Sequence, residues 1–172
     1  MGDVRLPTGG LAELRRAIEQ TAGENAVRVL REAGRRLASD AEMAIAGRGG
    51  SSLPALPLTT FWAELHRYFA DSGWGEIDHH EVNEGVGAIV ARNWAESDPS
   101  EGRHGPGCHL TTGLMAELLT RAVGQSVAVM EVECRSHGDD SCRFLFGSPV
   151  TLLVVHRKLA GSASLDEAIA AL

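Results

Sequence analysis

The chain contains only three cysteines, Cys108, Cys134 and Cys142, and their placement limits the fold more than any other feature. Cys134 ends the strand-like run VAVMEVEC (127–134) and Cys142 stands at the start of the run SCRFLFG (141–147), so the two flank the turn between them. The polar link RSHGDD, with Gly138, predicts an antiparallel hairpin that brings the two thiols together. Cys108 heads a helix expected to reach Val123, in which Leu110, Leu114, Leu118 and Ala122 recur every fourth residue on one face. Any fold that packs this helix on the hairpin can gather all three sulfurs.

The N-terminal MGDVRLPTGG lacks the apolar core of a secretory leader, and no run reaches the ~18 apolar residues of a membrane span. A cytoplasmic chain is expected. In a reducing compartment clustered thiols point to metal before disulfide. Three thiolates suit Zn²⁺, which favours sulfur and tetrahedral geometry. A Cys134–Cys142 disulfide and three inert buried thiols are the competing readings. Glu131, Glu133, His104, His109 and His137 are the nearby candidates for a fourth ligand. In a regular strand Glu131 and Glu133 share the face opposite Cys134, so Glu131 joins Cys134 only if the strand bends. Histidine is the commoner ligand, and strand geometry leaves the choice open. Arg135 and Arg143 are expected to offset the negative charge. Four protein ligands leave no open position for water, so the centre reads as structural.

The other elements follow from periodicity and punctuation. A helix is expected over 10–22 on Leu11, Leu14 and Ile18, and a second over 25–46 on Val27, Leu30, Ala33, Gly34, Leu37 and Ala41. Residues 47–58, rich in Gly, Ser and Pro, read as a loop. Thr59 and Thr60 are N-cap candidates for a third helix carrying Trp62, Leu65 and Phe69. Strands are expected over 74–83 and 86–94, then a polar loop over 96–107. After the hairpin, Ser148-Pro149 opens a helix ending near Gly161, and Ser164 with Glu167 forms a capping box that starts a last helix to Leu172. The pattern is α+β: helices packed on an antiparallel sheet, with a zinc-stapled hairpin towards the C-terminal half. At 172 residues with 44% apolar content, one domain over 1–172 is expected. The formal net charge of −7 argues against direct nucleic-acid binding. The run Arg15, Arg16, Arg28, Arg31, Arg35 and Arg36 reads as a solvated helix face.

The stretch EVECRSHGDDSCRF resembles the 4-vinyl reductase domain family, whose signature is Glu-x-x-Cys, a turn with Gly, then Cys before an aromatic. Here these are Glu131, Cys134, Gly138, Cys142 and Phe144. Gly113, Gly124, EAGRRLASDA and Asn93-Trp94 also resemble the family, so the likeness runs from about residue 25 onward, strongest over 108–147. Residues 1–24 would add an N-terminal helix. In the family's phenol-sensing branch three Cys and one Glu hold zinc, which implies the set Cys108, Glu131, Cys134 and Cys142. The resemblance further implies a homodimer and an apolar cavity beside the metal. Its lining would include Thr112, Leu118 and Val129, with Trp94, Trp62 and Phe61 as further wall residues. The positions of Thr112, Leu118 and Val129 tend to be aromatic in phenol sensors. Here those three are small or aliphatic, which favours a lipid-like or other apolar ligand over a phenol.

The leading expectation is a stand-alone small-molecule-binding sensor domain with a structural zinc. One alternative is a reductase or accessory protein of tetrapyrrole metabolism. The chain has no GxGxxG loop and no convincing acid–base pair, His79-His80 reading as surface residues, so no catalytic residues are assigned. The other alternative is a dimeric scaffold or tethering protein.

Overall fold

The structure, a computed structural model, describes residues 9–170. The expectations for residues 1–8 and for Ala171 and Leu172 lie outside these. The elements run α1 (Gly10–Ala22), α2 (Ala26–Gly49), α3 (Leu58–Asp71), β1 (Glu76–Asn83), β2 (Val86–Arg92), α4 (His109–Val123), β3 (Ala128–Glu133), β4 (Cys142–Gly147), α5 (Pro149–Ala160) and α6 (Leu165–Ala170). The strands form one antiparallel sheet in the order β1-β2-β4-β3. The fold is α+β, as expected.

Side chains of a strand alternate between the two faces, and here each face carries its own core. Ile77, Ile89, Ala91, Phe144 and Val129 face α2, α3 and α4, where Ala38, Ile45, Phe69, Leu114 and Leu118 complete the larger cluster. Val86, Ala88 and Leu145 turn to the other face and pack with Leu152 and Val155 of α5 and Ala168 of α6. Removal of apolar area from water at about 25 cal/mol per Å² supplies the drive for both layers. Among the described residues, no helix is long and apolar enough to cross a membrane.

Helices α2 and α4 cross at two glycines. A Cβ on Gly34 would lie 2.0 Å from the carbonyl oxygen of Leu110, and one on Gly113 would lie 2.0 Å from that of Arg31. The contact is backbone on backbone, and it fixes the height at which α4, and therefore its leading residue Cys108, sits above the sheet.

Several local expectations need correction. Helix α2 runs through Gly47 to Gly49 and ends at Gly50, whose φ of 73° suits a residue without a side chain. Helix α3 starts at Leu58 behind Pro57, with no side-chain cap from Thr59 or Thr60. In α1 the buried positions are Ala12 and Arg15, whereas Leu14 is 51% exposed. In α2 the buried stripe is Ala26, Leu30, Gly34, Ala38, Ala41 and Ile45, and Val27 and Leu37 are exposed. The solvated-face reading of the arginine run fails at Arg15, which is 1% exposed and ion-paired. By contrast α5 forms with Ser148 as its N-cap, accepting from the Thr151 N–H. The capping box also forms: the Ser164 N–H donates to Glu167 and the Glu167 N–H donates to Ser164 Oγ.

Candidate metal centre

The ligand atoms of Cys108, Glu131, Cys134 and Cys142 all lie within 4.8 Å of one another, and all four residues are buried. Cys108 comes from the start of α4, Glu131 from β3, Cys134 from the residue after β3, and Cys142 from the start of β4. Its Sγ is 3.9 Å from that of Cys134 and 3.8 Å from that of Cys142. Tetrahedral zinc with Zn–S near 2.3 Å requires S···S of about 3.8 Å.

The strand does bend where Glu131 requires it. Glu131 pairs with Phe144 and Glu133 pairs with Arg143, so Val132 is an extra residue and the register shifts there. The bulge reverses the alternation beyond it. Glu131, Cys134, Cys142 and Phe144 thereby come to one face of the sheet. Glu133 and Arg143 turn to the other and pair at 3.1 Å. Arg143 is thus spent on Glu133 and does not face the cluster. The charge compensation seen is from backbone: the N–H groups of Gly107 and Arg135 favour the thiolate forms of Cys134 and Cys142.

Glu131 is the residue whose bonding is incomplete. Its Oε2 accepts from the Cys108 N–H at 2.8 Å. Its Oε1 is buried and has no hydrogen-bond partner among the described residues. A buried carboxylate oxygen without a partner is costly, and this one belongs to the four-atom cluster. The other fourth-ligand candidates stand elsewhere. His104 and His137 are exposed, and His137 lies 3.6 Å from Asp139. His109 is pushed down to about 4, by burial first and then by Arg31 and Arg103.

Without a cation the cluster resists full ionisation. Contact with Cys134, then with Cys142, then burial raise the Cys108 thiol. The Cys108 contact pulls Cys142 down, but Cys134 and burial outweigh it and push it up to about 12. Burial, then nearby Cys134, push Glu131 up to about 8. Cys134 alone is lowered, by hydrogen bonds from Cys108 and Cys142. Four acidic groups converging in a buried site are stabilised together only by a positive ion. The donor set therefore fits a thiophilic divalent metal.

A second buried carboxylate, not singled out from the sequence, supports the first ligand. Glu96 is fully buried and accepts from the N–H groups of Leu110 and Thr111 and from Thr111 Oγ1. It caps the start of α4 from a distance, where the helix dipole favours negative charge. Burial nonetheless raises it to about 7, against those donors and Arg15. The only advance signal was an acidic residue in a loop before a helix that lacks a side-chain cap of its own.

The expected ligand-lining residues are all in the interior: Trp94 is 1% exposed, Thr112 3%, Leu118 0% and Val129 8%. Trp94 Nε1 donates to Thr111 Oγ1, and Thr112 Oγ1 donates to the Cys108 carbonyl. Leu118 of α4 and Val129 of β3 belong to the same core cluster between the helices and the sheet. Phe61 is buried nearby, and Trp62 stacks on His79 with ring centroids 3.9 Å apart.

A family model, the V4R domain, matches residues 96–148. Among solved structures, the phenol-responsive sensory domain of the transcription activator PoxR, crystallised with phenol, superposes with a TM-score of 0.63 at 21% identity. The alignment covers 84% of this chain and 75% of that one. A vinyl-4-reductase family protein from Methanocaldococcus jannaschii gives a TM-score of 0.53 at 20% identity, covering 85% and 82%. At those identities the likeness establishes the fold. No curated protein matches the chain. Residues 96–148, which supply all four candidate metal ligands, carry the V4R domain match, and the family is the one the cysteine motif resembles.

Proposed function

We propose that this chain is a small-molecule-binding sensor domain for an apolar ligand, built around a structural Zn²⁺ held by Cys108, Glu131, Cys134 and Cys142. The observation that carries the metal is the buried cluster itself, with S···S spacings of 3.8 and 3.9 Å and one carboxylate oxygen left without a partner. Zinc would supply the positive charge that lets the four groups ionise together, and would cross-link α4 to the hairpin. All four positions are filled by protein, so the centre serves stability. The fold likeness to a phenol-responsive sensory domain supports the sensor reading.

The chemistry of the candidate lining supports an apolar ligand. Leu118 and Val129 offer only hydrocarbon. The polar atoms of Trp94 and Thr112 are already committed within the protein. A ligand placed between α4 and the sheet would gain by dispersion and desolvation, with no hydrogen bond from these four residues.

Organic extraction of protein purified from its expression host, followed by mass spectrometry, is expected to return an apolar compound near one per chain. Protein that yields none, and whose tryptophan emission is unmoved by titration with long-chain fatty acids or alcohols, overturns the ligand reading. Cys134→Ser is expected to lose the metal and to melt well below wild type. A variant that keeps both its melting temperature and its metal overturns the structural-zinc reading.

A further inference from the structure

We infer that α1 is the element that responds to the state of the metal centre, through a chain of contacts running from the cysteine hairpin to Arg15. The inference rests on the metal reading above and extends it to a part of the chain outside the V4R match.

The chain of contacts begins inside the metal-binding loop. Between Cys134 and Cys142 a 3₁₀ turn spans Arg135–His137, and its middle residue, Ser136, is fully buried. Ser136 holds both ends of a second short turn, Pro99–Glu101. Its Oγ accepts from the Asp98 N–H at 2.8 Å, and its carbonyl accepts from the Arg103 N–H at 2.7 Å. That turn presents Glu101, only 6% exposed, to Arg15, and both carboxylate oxygens lie 2.6 Å from Arg15 Nη2. Arg103 adds a pair to Glu19 at 2.9 Å, and Arg16 approaches Asp98 at 3.6 Å.

Helix α1 therefore meets the 98–103 segment with charge. Its buried residues are Ala12 and Arg15, while Leu14 is 51% exposed, and Ala17, Ile18 and Ala22 line a shallow surface hollow with Val29 of α2. An amphipathic helix normally buries its apolar stripe. This one is held by a buried arginine whose main partner sits on a loop, and the hairpin in turn holds that loop. If the hairpin loses its metal staple, Ser136 is freed, the 98–103 turn loosens, and Arg15 loses a partner it cannot do without in a buried position. Release of α1 into water is then the favourable outcome for the guanidinium. An N-terminal helix that detaches when the centre is disturbed is an output element for a sensor.

Hydrogen exchange on the full chain tests this. The zinc-loaded protein, its metal content first verified, is compared with the same protein after chelation. Exchange in α1 and in 96–107 is expected to quicken at least tenfold, while α5, on the opposite face of the sheet, changes less than twofold. Unchanged α1 protection after the hairpin has lost its own overturns the inference. A protein that takes up no zinc would count against the metal reading alone, because Ser136→Ala tests the contacts without removing a ligand. That variant is expected to quicken exchange in α1 at least threefold, and α1 exchange identical to wild type overturns the inference. In the reverse direction, Arg15→Met is expected to speed zinc transfer to a chromophoric chelator at least fivefold. Val155→Ala, a destabilising change in the core of the other face, should leave that rate within twofold, and equal rates in the two variants refute the coupling.

Discussion

The same substitution, Gly→Ala, is expected to act with opposite sign at two helical positions, because an added Cβ meets open space at one and backbone at the other. At Gly47, in α2, an added Cβ meets nothing within 4 Å. Only the backbone term remains there, so Ala should stabilise by up to ~1 kcal/mol. At Gly113 the added Cβ would lie 2.0 Å from the Arg31 carbonyl oxygen and 2.8 Å from two further backbone atoms. Backbone cannot rotate away as a side chain can, so α2 and α4 must part by roughly 1 Å. Overpacking of this kind costs typically ~1–3 kcal/mol. Set against a helix-propensity gain of up to ~1 kcal/mol, a net loss of about 1 kcal/mol follows. For a chain of this length that lowers the melting temperature by about 2–4 °C. The same movement displaces Cys108 at the head of α4, where metal geometry tolerates about 0.2 Å, so zinc affinity should fall at least tenfold. Urea titrations followed by circular dichroism, with a chelator competition for the metal, give both numbers. If Gly113→Ala is as stable as wild type and binds zinc as tightly, the backbone-on-backbone crossing is not what sets the height of α4.

Two further outcomes are expected. Glu96→Gln places an amide NH₂ against donors now facing carboxylate oxygens, at Leu110, Thr111 and Thr111 Oγ1. A buried donor left unpaired costs about 1–3 kcal/mol, so thermal unfolding should fall by several degrees. A variant within experimental error of wild type removes Glu96 as the cap of α4. Cys108, Cys142 and Glu131 are all raised in the metal-free cluster, the last two to about 12 and about 8. Zinc must displace their protons at neutral pH, so affinity should climb with pH through 7 and fall on acidification. Calorimetric titration in buffers of different ionisation enthalpy should count about three protons released per zinc. Metal binding with no proton release contradicts the assigned ligand set.

Much of the architecture was legible because local signals agreed with the tertiary outcome. The Ser148-Pro149 start, the capping box at Ser164, the hairpin around Gly138 and the four-residue spacing of the Cys108 helix all formed. The cysteines could be brought together on paper because hairpin and helix geometry are local. The fourth ligand was hidden in the strand. Strict alternation sends Glu131 away from Cys134, and nothing in VAVMEVEC marks Val132 as a bulge; only family likeness pointed to Glu131. The face of α1 was misread for a different reason. Leu11, Leu14 and Ile18 form a proper apolar stripe, but the buried Arg15–Glu101 pair turns Leu14 outward. Long-range ion pairs leave no periodic trace, and Arg15 in the sequence is one arginine among six in that run. Glu96 left only a faint signal, an acidic residue in the loop before α4, since capping at a distance depends on how the 96–107 segment folds back over α4.

Metal content decides whether Cys108, Glu131, Cys134 and Cys142 form a closed zinc centre. Native mass spectrometry, with elemental analysis, should be run on freshly purified protein kept reduced and away from chelators. A closed zinc centre requires one zinc per chain, absent after single substitution of Cys108, Cys134 or Cys142 and bound more weakly in Glu131→Gln. A folded wild-type protein that carries no metal and takes none up from added zinc would contradict it, leaving the four groups as a buried cluster of three thiols and a carboxyl.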